Sequence, residues 1–406
     1  VWSLPKFLKR RWILISSFLL SSLLLPVFIS PKEIPWAVDE QKHFSMTEFR
    51  QHVSTQIGAF PKQIKVGSHQ YRVDYTVRPT LQQYVANLLG EFRPDYASVA
   101  VIDNNSGNIL SLYDYSRSRG NLNLDLLLNG EHPSASLFKI ITSADLLQNT
   151  NVGKDTSFQY VGRSTTLFRS QLKDFFRWKP KTESLATAFA KSNNVIFGRA
   201  AVANTNRETL LKMAKNLGFT EDLLEELPLP RSRIYIPNDA FGLAELASGF
   251  NTDTTMTSLH GALVASIVAN QGILKYPKLI HEIAPEVGEE IFWSPQRKDK
   301  KVLDEAVAYD LQEMMEETVH LGTAKKVFRL MPYRFKEDLR IGGKTGSITG
   351  GIPYGKRDWF SSFAIPQSKV GNDRGISVCV MIVNEKKWYV KSAYLVRKII
   401  EYYYKD

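Results

Sequence analysis

The sequence predicts an α+β fold, an α/β sandwich. One antiparallel five-stranded sheet is built from both ends of a large domain, flanked by helices, with a large all-helical insertion between the two sets of strands. One N-terminal transmembrane helix precedes it. Three observations lead there. Two strand-like runs, Ala97–Asp103 and Asn108–Tyr113, stand early in the chain, and three more, Leu339–Thr345, Trp359–Ile365 and Ile376–Val383, stand near its end. Between them, over roughly 134–330, helical patterning dominates. The run from Trp12 to Ile29 carries no charge at all. Strands at both ends with helices between favour a single sheet over two tandem domains.

Taken in chain order, the first element is the uncharged run. At ~1.5 Å rise per residue it spans roughly 27 Å, close to a hydrocarbon core of about 30 Å. Lys6, Lys9, Arg10 and Arg11 precede it, Pro26 sits near its exit, and Glu33, Asp39 and Glu40 follow. Basic residues before a span stay in the cytoplasm. Residues 1–11 are therefore expected as a cytoplasmic tail, 12–30 as the anchor and everything beyond as exterior. A cleaved signal peptide competes with this, but no small-x-small site follows the run. Residues 31–70, with Pro31, Pro35 and Pro61, read as a juxtamembrane spacer containing one short helix. The exterior domain is then 71–406. It opens with an alternating strand, Tyr71–Arg78, and a helix over Thr80–Phe92 that puts Leu81, Tyr84, Val85, Leu88 and Leu89 on one face. Asn104-Asn105-Ser106-Gly107 joins the next two strands as a hairpin. A final helix runs from about Tyr389 to Tyr403.

Composition narrows the class without choosing a function. With 406 residues, 43% hydrophobic and 23% charged, the chain is neither disordered nor fibrous. Cys379 is its single cysteine, so neither an internal disulfide nor a four-cysteine zinc site can form. No metal and no cofactor is expected. A formal charge of +11 favours anionic surroundings but does not by itself separate nucleic acid, membrane and cell wall.

Three short motifs carry chemistry. The first is Ser136-Leu137-Phe138-Lys139, an S-x-x-K. Ser3…Lys6 and Ser170…Lys173 match the same pattern, so the spacing alone is weak. Context separates them: Ser136 opens Ala135–Leu147, a helix apolar on nearly every side, and such a helix is buried. Burial pushes an ammonium toward the neutral amine, which can take a proton from a hydroxyl one turn away. A lysine snorkelling from a structural helix fits the motif alone equally well. The second motif is Ser192-Asn193-Asn194, an S-x-N, which an ordinary helix cap would also explain and which Ser106-Gly107-Asn108 repeats. The third, Lys344-Thr345-Gly346-Ser347, follows Ile341-Gly342-Gly343 at the end of a strand-like run. There a cation, a hydroxyl and a residue without a side chain suit an extended peptide laid along a strand edge, with its carboxylate held. A turn after an edge strand is the alternative.

In the order S-x-x-K, S-x-N, K-T-G, the chain resembles the penicillin-binding transpeptidase domain family of the serine D,D-transpeptidase and β-lactamase-like superfamily. The likeness covers roughly 71–406. Ala97–Leu112 looks like that family's opening strand pair, Phe241–Leu279 like its middle helices, Gly322-Thr323-Ala324 like its G-T-A and Asp358-Trp359-Phe360 like its W-F strand. The resemblance implies Ser136 as nucleophile and Lys139 as its general base. It implies Ser192 and Lys344 as the proton relay to the leaving amine, and Asn194 as holding the donor peptide. Thr345 and Ser347 would bind the terminal carboxylate beside Gly346, and the backbone N–H groups of Ser136 and Ser347 would form the oxyanion hole. The implied substrate is a peptidoglycan stem peptide ending in D-Ala-D-Ala, with β-lactams as covalent ligands. Departures are Ala135 where a Gly is frequent, Ile140 where a Pro is common, and Ser361-Ser362-Phe363 where a Gly is more usual.

The glycosyltransferase motif E-D-x-x-F does not occur, and 31–70 leaves no space for a pedestal. The expectation is a single-pass protein of the bacterial cytoplasmic (inner) membrane, its catalytic domain on the periplasmic side, working with a separate glycosyltransferase and with no nucleic acid. Two other outcomes share the fold: hydrolysis, as in a D,D-carboxypeptidase or β-lactamase, and a β-lactam sensor or scaffold that does not turn over. A class A β-lactamase needs a deacylating Glu, and Glu225-Glu226-Leu227-Pro228-Leu229 does not fit its pattern. No G-x-S-x-G elbow occurs, and His281-Glu282 has no partner for a zinc protease. Arg163–Lys181 mixes basic and aromatic residues and reads as a solvated face.

Overall fold

The structure, a computed structural model, describes residues 44–53, 57–129, 131–173, 179–288, 290–367 and 373–405. The expected tail and anchor lie outside the described residues, as does the spacer up to residue 43. Among the described residues no helix is long and apolar enough to cross a membrane. In chain order, α1 (Met46–Val53), β1 (Gln63–Val66), β2 (His69–Tyr75) and α2 (Pro79–Phe92) lead into β3 (Tyr96–Asp103), β4 (Ile109–Ser116) and the two-residue β5 (Gly120–Asn121). The middle holds α3 (Asp125–Asn129), α4 (Phe138–Asn149), the strands β6 (Ser157–Tyr160) and β7 (Lys181–Ser184), then α5 (Leu185–Ala190), α6 (Asn194–Asn204), α7 (Arg207–Asn216), α8 (Ala240–Ser248) and α9 (Ser258–Ala269). Next come β8 (Ile273–Leu274), β9 (Ile280–Pro285), β10 (Lys300–Lys301), α10 (Glu305–His320), α11 (Lys325–Phe328) and α12 (Tyr333–Asp338). The chain closes through β11 (Leu339–Gly350), β12 (Gly355–Pro366), β13 (Ile376–Asn384) and α13 (Ser392–Tyr403).

The central sheet has the order β11-β12-β13-β3-β4-β5, every pairing antiparallel. Strands from both ends meet where β13 lies beside β3, Val380 opposite Val99. The sheet has six strands rather than five, because Gly120–Asn121 adds a two-residue pairing to β4 that no apolar alternation announces. The insertion is likewise not all helical: β6 pairs with β7, β8 with β10, and β9 joins β1 and β2 in a separate three-stranded sheet. These strands are short and mostly polar outward, so helical periodicity around them hides them. Within the stretch expected as spacer, α1 and β1 belong to the same compact unit as the rest of the chain from Ser45 onward. Strands β11 and β12 extend beyond the apolar runs that mark them, through Ser347-Ile348-Thr349-Gly350 and Gly355-Lys356-Arg357-Asp358.

All nine residues of β13 are buried, which is why it reads as a continuous apolar run rather than an alternating one. One face packs on α2 and α13 through Leu81, Val85, Leu89, Leu395, Val396 and Ile399. The other packs on α9, whose twelve residues are all buried. Contact is close because a Cβ at Gly261 would collide with the Cys379 sulfur. The lone cysteine is thus a buried packing residue whose thiol is pushed well above its usual range by burial. At roughly 1.5–3 kcal/mol per fully buried aliphatic side chain, these two interfaces hold the sheet in place. The Lys344-Thr345-Gly346-Ser347 motif lies on β11, the edge strand of this sheet.

Candidate active site

The segment before α4 is a 3-10 turn, Ala135–Leu137, entered through Ala135 at φ 51°, a left-handed conformation unusual for a residue with a Cβ. Two bonds fix its approach: Trp359 Nε1 donates to the Pro133 carbonyl at 3.0 Å, and Ser134 N–H to the Thr254 carbonyl at 2.8 Å. Trp359 is fully buried in β12, so the turn is tied to the sheet. Ser136 comes out half-buried at the mouth of a cleft, while Lys139, one turn on, is fully buried. Its Nζ donates to Asn194 Oδ1 at 2.7 Å and to the Ser248 carbonyl at 2.6 Å, and lies 2.8 Å from Ser136 Oγ. Burial, then the nearby Lys344 charge, pushes this ammonium well below its usual range. The lysine does not snorkel.

The S-x-N motif is both a cap and more than a cap. Lys191 ends α5, Ser192 turns the chain at φ 58°, and the Asn193 side chain caps α6 by accepting from Ile196 N–H at 3.1 Å. That reversal leaves Ser192 and Asn194 facing two different lysines. Asn194 Oδ1 accepts from Lys139, and its Nδ2 donates to the Thr165 carbonyl at 3.0 Å. Ser192 Oγ accepts from Lys344 Nζ at 3.0 Å.

Lys344 is also fully buried, and its second bond goes to the Thr345 carbonyl at 2.8 Å. Burial lowers its pKa to about 7. Its ammonium is disfavoured in the folded chain but not in the unfolded one, so the unfolded state binds more protons between about pH 7 and its ordinary value. Stability is therefore gained as pH rises through that window, and the full cost of burial is present below it. Thermal melts at stepped pH should show the wild type gaining stability relative to Lys344→Met between pH 7 and 9, by an amount on the order of a few kcal/mol. A difference that stays flat over that range would contradict a lysine buried in this way.

Thr345 is half-buried, Gly346 lies against Ala135 and Ser134, and Ser347 is exposed. All eight residues singled out from the motifs, Ser136, Lys139, Ser192, Asn194, Lys344, Thr345, Gly346 and Ser347, meet around a single cleft of about 500 Å³. The described look-alikes do not join them, and Ser3…Lys6 lies outside the described residues. Ser170 is exposed in a 3-10 turn at Arg169–Leu172, and Ser106 turns the β3–β4 hairpin by donating to Asp103. Ser361 and Ser362 are buried, Ser361 Oγ donating to the Gly261 carbonyl at 2.7 Å, and neither lines the cleft. Of the basic–aromatic stretch, the described Phe168, Arg169, Lys179 and Lys181 are exposed, and Arg169 pairs with Asp239 at 2.8 Å.

Several residues at the cleft have no motif to announce them. The Ser248 carbonyl and Gly249 end α8, where a glycine at φ 64° is a recognisable C-cap signal. Thr323, by contrast, belongs to the Gly322-Thr323-Ala324 triplet noted in the sequence, and its Oγ1 lies 2.6 Å from Thr345 Oγ1 and so orients it. Phe250 from the turn after α8, Lys326 from α11, and Trp388, Lys391 and Ser392 from the junction of β13 with α13 complete the walls. Among the described residues lining the cleft, Asp358 is the single carboxyl. It is buried, accepts from Ser392 N–H at 2.8 Å, and has its pKa raised mainly by desolvation. The described residues contain no cluster of His, Cys, Asp and Glu suited to a metal ion.

Residues 97–401 match the family model described as the penicillin binding protein transpeptidase domain. The chain is 24% identical over 352 residues to the peptidoglycan D,D-transpeptidase PbpA of Mycolicibacterium smegmatis, covering 76% of this chain and 67% of that protein. In structure it is similar to the D,D-transpeptidase domain of a peptidoglycan glycosyltransferase from Eggerthella lenta, with TM-score 0.64, 19% identity and coverage of 82% of this chain and 83% of that one. It is also similar to PBPA from Mycobacterium tuberculosis, with TM-score 0.62, 21% identity and 82% of each chain covered.

Proposed function

Since the chain belongs to the penicillin-binding protein transpeptidase family, we propose that it is a membrane-anchored D,D-transpeptidase that cross-links peptidoglycan stem peptides through an acyl-enzyme on Ser136. The observation that carries this is the surroundings of Lys139 Nζ. A neutral amine has two N–H donors and one lone pair. Two of its three neighbours, Asn194 Oδ1 and the Ser248 carbonyl, can only accept. The lone pair is left for the third, the Ser136 hydroxyl, which can donate. A general base aimed at a nucleophile is the result.

In the reaction, Ser136 Oγ attacks the carbonyl carbon of the penultimate D-Ala as its proton passes to Lys139. The developing oxyanion is met by the backbone N–H groups of Ser136 and Ser347. Ser192, with Lys344 behind it, delivers a proton to the departing D-Ala nitrogen, and the C–N bond breaks. Thr345 and Ser347 hold the terminal carboxylate, Gly346 lets the peptide lie close to β11, and Asn194 holds the donor amide by exchanging its bond to Thr165. An amine of a second stem then attacks the ester and gives its proton to Ser192 and Lys344, while Ser136 leaves with the proton held by Lys139. Residues 12–30 would fasten this domain to the outer side of the bacterial cytoplasmic (inner) membrane as a single span, with 1–11 inside and 71–406 facing the periplasm. A separate glycosyltransferase would supply the glycan.

Hydrolysis by a carboxylate is disfavoured by Glu226, which is buried and accepts from the backbone N–H groups of Leu279 and Ile280. Fluorescent penicillin should label the purified protein covalently, with Ser136→Ala abolishing the label and Ser170→Ala leaving it intact. A wild type that never labels would sink the assignment. Incubation with a D-Ala-D-Ala stem peptide and an amine acceptor then separates transfer from hydrolysis by the product formed.

A further inference from the structure

Away from the cleft, residues 321–340 hold six cations, Lys325, Lys326, Arg329, Arg334, Lys336 and Arg340, against two carboxylates, Glu337 and Asp338. Arg340 pairs with Glu316 at 2.6 Å, and Glu337 is engaged by the Tyr333 hydroxyl. Among the described residues the other five cations form no ion pair. Lys325, Arg329, Arg334 and Lys336 are exposed along α11, α12 and the turn between them. Among these cations stand Leu321, Leu330 and Tyr333, at 67%, 67% and 73% exposure. Large apolar side chains left open between cations make the kind of surface that enters a membrane interface.

Behind them lies a slot of about 220 Å³. Its floor is Val319, Phe328, Met331, Leu339 and Ile341, all buried, and its rim is His320, Lys325, Arg329 and Lys336. The rim is partly built: Lys336 Nζ donates to the Arg329 carbonyl at 2.8 Å. An apolar floor under a cationic rim suits an amphiphilic anion. The volume is below the roughly 300 Å³ of a whole small-ligand site, so the slot takes one end of a longer molecule. A soluble polyanion would satisfy the cations but leave Leu321, Leu330, Tyr333 and the slot wet. An anionic phospholipid satisfies both.

Resting on the membrane-anchored reading above, we propose that α11, α12 and the slot they form with β11 are a second membrane contact, a site for anionic phospholipid. In that reading the span ends at residue 30 and the compact domain begins at Ser45, so a short tether keeps a bilayer within the domain's reach. Leu339 and Ile341 lie on the strand that carries Lys344, so a lipid seated there sets how the cleft is turned toward the membrane.

The test holds the full chain in nanodiscs of phosphatidylcholine, alone or mixed with phosphatidylglycerol, and follows acetylation of surface lysines by mass spectrometry. In the mixed discs Lys325 should react about tenfold more slowly, the scale of one to two cations drawn to an anionic surface. Lys212, exposed on α7, should react equally in both, and raised salt should weaken the protection. Arg329→Gln/Arg334→Gln should bring Lys325 to within about twofold of its rate in neutral discs. Leu330→Ser/Tyr333→Ser should do the same with every cation retained. These four positions are exposed, and penicillin labelling checks that each variant is folded. Equal rates for Lys325 in the two kinds of disc overturn the site, as does equal protection of Lys212. Protection on neutral discs by soluble poly(glycerol phosphate), unchanged in Leu330→Ser/Tyr333→Ser, assigns the patch to a wall polymer and overturns the lipid. A wild type that labels with penicillin but shows no protection loses this site and keeps the transpeptidase reading. A chain that does not stay in the discs loses the anchor, and the site falls with it.

Discussion

Lys139→Ala should lower the rate of penicillin acylation by about three orders of magnitude, the scale expected for removing a positioned general base. Stopped-flow labelling of the purified protein measures it. The loss has two sources. The Ser136 hydroxyl no longer has a base 2.8 Å away, and Asn194 Oδ1 and the Ser248 carbonyl lose their donor. Lys139→Arg should not restore the rate, because a guanidinium stays charged and offers no lone pair. Rescue by arginine would mean that position 139 needs only a cation and would remove the base from the mechanism. The fold should survive Lys139→Ala, since the cost of two unsatisfied carbonyls is opposed by relief from burying an ammonium.

A second large effect is expected at a residue that does no chemistry. Gly249→Ala should destabilise the protein by about 2–4 kcal/mol and slow acylation by roughly a hundredfold. Gly249 sits at φ 64°, and a Cβ there would stand well inside contact distance of the Ala135 carbonyl oxygen. Ala135 is itself left-handed and tied through its neighbours to Trp359 and Thr254, so it cannot yield without moving Ser136. Gly67→Ala is the control: its φ of 61° is similar, but nothing lies within 4 Å of the added atom. Thermal melts and penicillin labelling of the two variants separate backbone strain from collision. If both variants behave alike, the close approach of the α8 C-terminus to the Ser136 turn has no catalytic weight.

Much of the architecture was legible in the sequence wherever a physical period or a long apolar run existed. The five principal strands and α2 each bury several consecutive or evenly spaced apolar residues, and the helical middle region shows its 3.6-residue rhythm. Elements without such a run escaped: β5 has two residues, β10 is Lys300–Lys301, and the polar ends of β11 and β12 are strand only because each completes the other's hydrogen bonds. In the cleft, spacing alone could not choose among three S-x-x-K tetrads. The apolar surroundings of Lys139 could, and the structure brings that lysine, Ser192 and Lys344 to one place. What spacing could not supply was the set of partners from distant parts of the chain. Ser248, Lys326, Trp388 and Lys391 become neighbours only after the chain has folded, and none carries a local pattern that marks it, whereas Thr323 stands in the Gly322-Thr323-Ala324 triplet.

The pairing of β3 with β13 also sets an order of events during synthesis. A chain emerging from its N-terminus presents the serine helix early, yet the sheet under it stays open until Ile376–Asn384 arrives to dock on Tyr96–Asp103. Closing so long a loop is slow, because its entropy is lost before the contacts repay it. Until then, α9 has no β13 to cover it, and its largely apolar surface is open to wrong partners. A partly made chain is therefore sticky but inert: Lys344 and the β11 edge come late, and no half-finished molecule can acylate a stem or capture a β-lactam. The cleft is complete only once the C-terminal strands and the Trp388–Ser392 wall behind them are in place, so the topology works as a completeness check on the molecule.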